Sequence, residues 1–113
     1  MKPGDIILIR FPFSDAISSK KRPALLLQET KLSAGLHLLT VAMITSRIEN
    51  PHLKGDVLLI DWEGAKLLHP SLVRLAKIAT VDHDLAEKVL GSLSDKDLKM
   101  VKKNFRLMFH EWI

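Results

Sequence analysis

The stretch Gly4-Asp5-Ile6-Ile7-Leu8-Ile9-Arg10-Phe11 decides the class of this chain. Ile6–Phe11 is a short apolar run rich in β-branched isoleucine, with Gly4-Asp5 before it and Pro12 after it, and those flanks open and close a strand rather than a helix. Working outward, Pro23–Gln28, Leu38–Ile44, Val57–Ile60 and Leu72–Ala76 repeat the pattern, separated by Gly, Pro, Ser or Asp clusters. The runs are leucine-rich, so periodicity alone also accommodates short buried helices; their length and flanks favour strands. Between the first two runs lies Pro12-Phe13-Ser14-Asp15-Ala16-Ile17-Ser18-Ser19, a polar excursion too long for a tight hairpin turn, which leads into Lys20-Lys21-Arg22. Long loops inside compact domains are often functional.

The last twenty residues change character. Ser94-Asp95-Lys96-Asp97 has the form of a capping box, with the Ser94 hydroxyl accepting from a backbone N–H and Asp97 reaching back. Leu98, Val101, Phe105, Met108 and Trp112 then recur every three or four residues, on one face of a helix, while Lys99, Lys102, Lys103 and Arg106 lie off that stripe. The expected fold is mainly β with a C-terminal helix, the helix covering an open end or face of the β domain and lending part of its stripe to a subunit interface.

A length of 113 residues fits one domain, spanning residues 1–113, with a real core. No apolar run approaches the roughly 20 residues that cross a bilayer. The start, Met1-Lys2-Pro3-Gly4-Asp5, has one lysine and no small-residue cleavage site, so the expectation is a cytoplasmic protein with no membrane partner. Without cysteine there are no disulfides, thiolate metal sites or cysteine nucleophile. The histidines, at 37, 52, 69, 83 and 110, never take the spacing of a zinc protease motif, so no metal or other cofactor is expected. A net charge of +4 and a pI near 9.5 suit a polyanionic partner without demanding one.

Taken in order, Gly4–Ile9, Phe11-Pro12-Phe13-Ser14-Asp15 and Lys21-Arg22-Pro23-Ala24-Leu25-Leu26-Leu27 resemble the opening of the MazF/PemK family of toxin–antitoxin endoribonuclease toxins. Ile44-Thr45-Ser46, Pro70-Ser71-Leu72-Val73-Arg74, Ile78-Ala79-Thr80-Val81-Asp82 and Gly91-Ser92-Leu93-Ser94 continue the resemblance from residue 3 to about residue 110. It implies an SH3-like β-barrel of about five strands with a C-terminal helix, usually a homodimer, that cleaves single-stranded RNA at short sequences. It further implies an antitoxin whose acidic tail occupies the RNA groove, and a toxin–antitoxin complex that binds its promoter DNA. The chemistry implied is attack of the RNA's 2′-hydroxyl on the adjacent phosphate, leaving a 2′,3′-cyclic phosphate and a 5′-hydroxyl without a metal.

Carried over residue by residue, the resemblance makes Arg22 catalytic, with Thr45 beside it. An arginine offers a fixed fork to a scissile phosphate, and a threonine hydroxyl can donate to a phosphate oxygen. Arg74 matches a proton donor of one branch of the family, but the aspartate which that branch places two residues on is here Ala76. Asp15, Lys20, Lys21 and Ser46 are candidate RNA contacts. His69 offers a titrating group, Phe11 is expected in the core, and Trp62 is either core or a stacking platform. Ala76 keeps a different reading in play: a non-catalytic SH3-like module that binds nucleic acid or an acidic peptide.

Overall fold

The computed structural model describes residues 1–11, 20–50 and 52–113. Among the described residues six strands follow one another: β1 (Asp5–Phe11), β2 (Lys20–Lys31), β3 (His37–Thr45), β4 (Asp56–Leu58), β5 (Leu72–Asp82) and β6 (Ala86–Ser92). One helix, α1 (Asp95–Met108), comes after them. The strands form a single antiparallel sheet in the order β4-β5-β3-β2-β1-β6. The expected mainly-β class with a C-terminal helix holds, with two corrections. There are six strands rather than five, and β4 and β6, at the two ends of the sheet, do not pair with each other, so the barrel is not closed.

Both faces of the sheet are buried, which explains the unbroken apolar runs where a one-sided sheet would alternate. On one face Ile6, Leu25, Ala42, Ile44, Val57 and Val73 form a core with Val101, and Leu98 and Met108 of α1 pack against it. On the other, Ile7, Ile9, Phe11, Ala24, Leu26, Leu39 and Val41 form a second core, closed over by Val81, Leu85 and Ala86 where the sheet curls. A bulge produces part of that curl: the partners of β3 on β5 jump from Ile78, opposite Ala42, to Arg74, opposite Met43. Bulges bend the strand that carries the extra residues.

The helix begins as its sequence indicates, with the Ser94 hydroxyl accepting from Asp97 N–H at 3.3 Å. Asp97 does not complete the box. Its carboxylate is fully buried and accepts from the backbone N–H groups of Ile60 (2.9 Å) and Asp61 (2.8 Å). The loop after β4 has backbone donors with no strand partner, and a buried carboxylate satisfies two of them at once. Ser94 Oγ in turn donates to Asp61 (2.6 Å), and Asn104 Nδ2 donates to the Asp56 carbonyl (3.1 Å). At the far end Met108 covers Gly55, whose φ of +91° suits glycine and where a Cβ would lie 2.8 Å from the Met108 sulfur. The helix is thereby fixed along β4. Trp112 departs from the expected stripe: it lies beyond α1 in a 3-10 turn and is 87% exposed. No helix among the described residues is long and apolar enough to cross a membrane.

Candidate functional site

The ends of β2 and β3 build the site. The β2–β3 ladder ends at Ala24 and Met43, and Arg22 and Thr45 lie two residues beyond it on their strands. Both line an open groove of about 520 Å³, together with Ser46 and Lys21. Thr45 ends its strand with a local turn in which its hydroxyl oxygen accepts from the N–H of Arg47 at 3.1 Å. A hydroxyl held this way still has its proton to donate. This local turn orients the threonine hydroxyl at the groove.

The other walls come from β6 and the loop between β4 and β5. They contribute Lys88, Lys66 and His69, and Arg47 follows β3. Among the described residues that line the groove, five (Lys21, Arg22, Arg47, Lys66 and Lys88) are cationic and none is acidic. Such a cleft concentrates positive potential and attracts anions. Lys21 also meets Glu87 at 3.0 Å in an exposed pair, which contributes little to stability. The β4–β5 loop is held firmly. Asp97 fixes its start, the Leu59 N–H donates to the Ser71 carbonyl (3.0 Å), and the buried Ser71 hydroxyl donates to the His69 carbonyl (2.8 Å).

The remaining sequence-derived candidates do not converge here. Lys20 opens β2 opposite Phe11 and is exposed, but it does not line the groove. Arg74 is held elsewhere: Nε and Nη2 donate to the two carboxylate oxygens of Asp56, at 3.1 and 3.0 Å, and the Asp56 side chain is only 2% exposed. Ala76 is exposed within the bulged part of β5, away from the groove. Phe11 is core, as expected, and Trp62 packs against the helix-side core. Asp15 lies outside the described residues.

Sequence reasoning missed Arg47, Lys66 and Lys88. They stand far apart along the chain with no shared motif, and only the fold brings them to one cleft. Lys66 carries a signal visible in the backbone, a φ of 66°.

A family model described as the PemK-like, MazF-like toxin of type II toxin–antitoxin systems matches residues 2–109. A comparison with curated proteins finds no match. Among solved structures, the Mycobacterium tuberculosis toxin MazF-mt6 is similar at a TM-score of 0.69 and 22% identity, over 96% of this chain and 97% of that one. A mycobacterial endoribonuclease in complex with its cognate antitoxin gives 0.70 at 11% identity, covering 97% and 95% of the two chains. MazE–MazF from Deinococcus radiodurans gives 0.66 at 18% identity, covering 96% and 94%. At these identities the structural likeness is one of fold.

Proposed function

The chain belongs to the PemK-like, MazF-like toxin family of type II toxin–antitoxin systems, and on that premise we propose that it is an endoribonuclease that cleaves single-stranded RNA in the groove of Arg22 and Thr45. The observation that carries this reading is that Arg22 and Thr45 line one groove whose described lining residues include four further cations and no carboxylate. The guanidinium of Arg22 and the hydroxyl of Thr45 donate to the non-bridging oxygens of one phosphate. They stabilise the charge that builds as the 2′-hydroxyl of the preceding ribose attacks. Fixed donors aimed at developing charge are commonly the largest catalytic term.

The products are a 2′,3′-cyclic phosphate and a 5′-hydroxyl. Because the nucleophile is the RNA's own hydroxyl, the step calls for no metal-bound water. The substrate is single-stranded because attack requires the 2′-oxygen to line up behind the departing 5′-oxygen, which an A-form helix resists. For proton transfer the groove offers His69, whose imidazole is the side-chain type suited to acid–base work near neutral pH. Arg74 and Ala76 are left out of this mechanism, the first because Asp56 holds it and the second because it does not line the groove.

The proposed inhibitor is an antitoxin with an acidic segment that competes with RNA for the same cations. The solved complexes of similar proteins with a cognate antitoxin and with MazE support a protein partner. Its affinity falls as salt rises, because exposed charges carry much of the recognition. We also propose a homodimer, which sedimentation at micromolar concentration tests; a species of 12.7 kDa alone contradicts it.

The activity is tested by incubating the purified protein with a long unstructured RNA in EDTA and defining the new ends. Cyclic phosphate and 5′-hydroxyl termini are expected. No cleavage with or without divalent ions, alongside measurable RNA binding, favours the non-catalytic module instead.

A further inference from the structure

We propose that Lys66 is a phosphate-binding residue that anchors single-stranded RNA beside the Arg22–Thr45 centre, and that its left-handed backbone is retained for that purpose. The inference rests on the ribonuclease reading above and adds a residue and a subsite to it.

Lys66 is the one non-glycine residue with positive φ among the described residues. It ends a tight turn in which the carbonyls of Asp61, Glu63 and Trp62 accept from the N–H groups of Ala65 (3.1 Å), Lys66 (3.0 Å) and Leu67 (3.1 Å). Glycine or asparagine normally closes such a turn, because a Cβ in the left-handed region meets its own backbone. A lysine there is a local cost that the surroundings must enforce, and such outliers collect at functional sites.

The surroundings do enforce it. Ala65 and Leu67 on either side are buried, and the turn rests on Gly91 of β6, where a Cβ would lie 2.5 Å from the Ala65 carbonyl oxygen and 3.0 Å from Lys66 Cγ. The turn cannot slide to relieve Lys66, and the lysine stem lies beside β6, where Lys88 lines the same groove. If the position served only to close the turn, glycine would serve it better. What lysine adds is an ammonium group on a residue that lines the same groove as Arg22 and Thr45, which suits the backbone phosphate of a nucleotide flanking the scissile one.

The probe is a short single-stranded RNA with a 2′-deoxy residue at the cleavage position, which binds without reacting. Affinity is measured over a salt series for the wild type, K66G, K66A and K66R, with thermal melting of each. K66G should melt at or above the wild-type temperature. It should bind about five- to tenfold more weakly near 0.1 M salt, and its slope of log K against log salt should be shallower by about 0.7, the loss of one phosphate contact on a single strand. K66A should match it in slope and K66R should keep the wild-type slope. In cleavage assays the loss should appear chiefly as a raised KM, since Lys66 positions the strand and Arg22 acts on the reacting phosphate. A K66G protein with wild-type affinity and slope overturns the subsite while leaving the ribonuclease reading intact. A wild type that neither binds nor cleaves RNA overturns both.

Discussion

Arg22 and Arg74 are both strand arginines next to a conspicuous apolar run, yet the fold gives them opposite surroundings. Arg74 is clasped by both oxygens of Asp56, which also accepts from the Leu53 N–H, so its charge and fork are used up inside the protein. Arg22 lies near the start of β2 and lines an open groove, with Lys21, Arg47, Lys66 and Lys88 among the described residues that line it and no carboxylate among them. The difference separates charges that hold the fold from charges gathered for a ligand. A cluster of cations repels itself and costs stability unless an anion arrives, whereas a buried bidentate pair contributes only while both partners remain.

Substitutions can break that contrast. Arg22→Ala should lower cleavage per folded molecule on the order of a hundred- to a thousand-fold, and Arg22→Lys should not restore it, because a point charge does not reproduce the fork. Arg74→Ala should do the reverse. It strands the buried Asp56 carboxylate and should lower stability by about 3 kcal/mol in denaturant unfolding, while activity per folded molecule stays near wild type. Asp97→Ala tests the link between the two regions. It should cost about 3 kcal/mol by orphaning the N–H groups of Ile60 and Asp61, and it should also weaken RNA binding by loosening the loop that carries Lys66 and His69. Ala76→Asp should leave the rate within about tenfold, since a carboxylate away from the groove has no proton to take.

The smallest effect lies at the other end of β2, far from either arginine. His37 Nε2 meets Glu29 at 2.6 Å and stacks on His83, and this hydrogen bond is the main cause holding the Glu29 carboxyl below its ordinary value of 4.5. A depressed carboxyl binds fewer protons folded than unfolded, so its contribution is present above pH 4.5 and is lost as pH falls through the lowered value. Glu29→Gln should therefore flatten that part of the stability–pH profile and leave RNA cleavage near neutral pH unaffected.

How far the sequence could be read follows the same division. The strands β1, β2 and β3 were legible because burial on both faces makes them continuous apolar runs, and Ser94 announced α1. The strand β6 was not, because Glu87 and Lys88 stand exposed within an end strand that pairs only with β1. The continuation of β5 past Ala76 was likewise hidden by its bulge and by the exposed residues Lys77 and Ile78. At the site, Arg22, Thr45, Lys21 and Ser46 line one groove, a grouping that the resemblance implied and no local pattern revealed. Arg74 was expected as a proton donor on the resemblance alone. That it finds Asp56 rather than a ligand depends on β4 pairing with β5, which no local pattern reveals.

The most direct test of the account is to map backbone amide shifts of the wild type on titration with the unreactive 2′-deoxy-substituted RNA. Perturbations should concentrate at Arg22, Thr45, Ser46, Lys66 and His69 and should spare Asp56, Arg74 and the Phe105 face of α1. Perturbations confined to the Asp56–Arg74 region or to α1, with the Arg22–Thr45 groove silent, would contradict it.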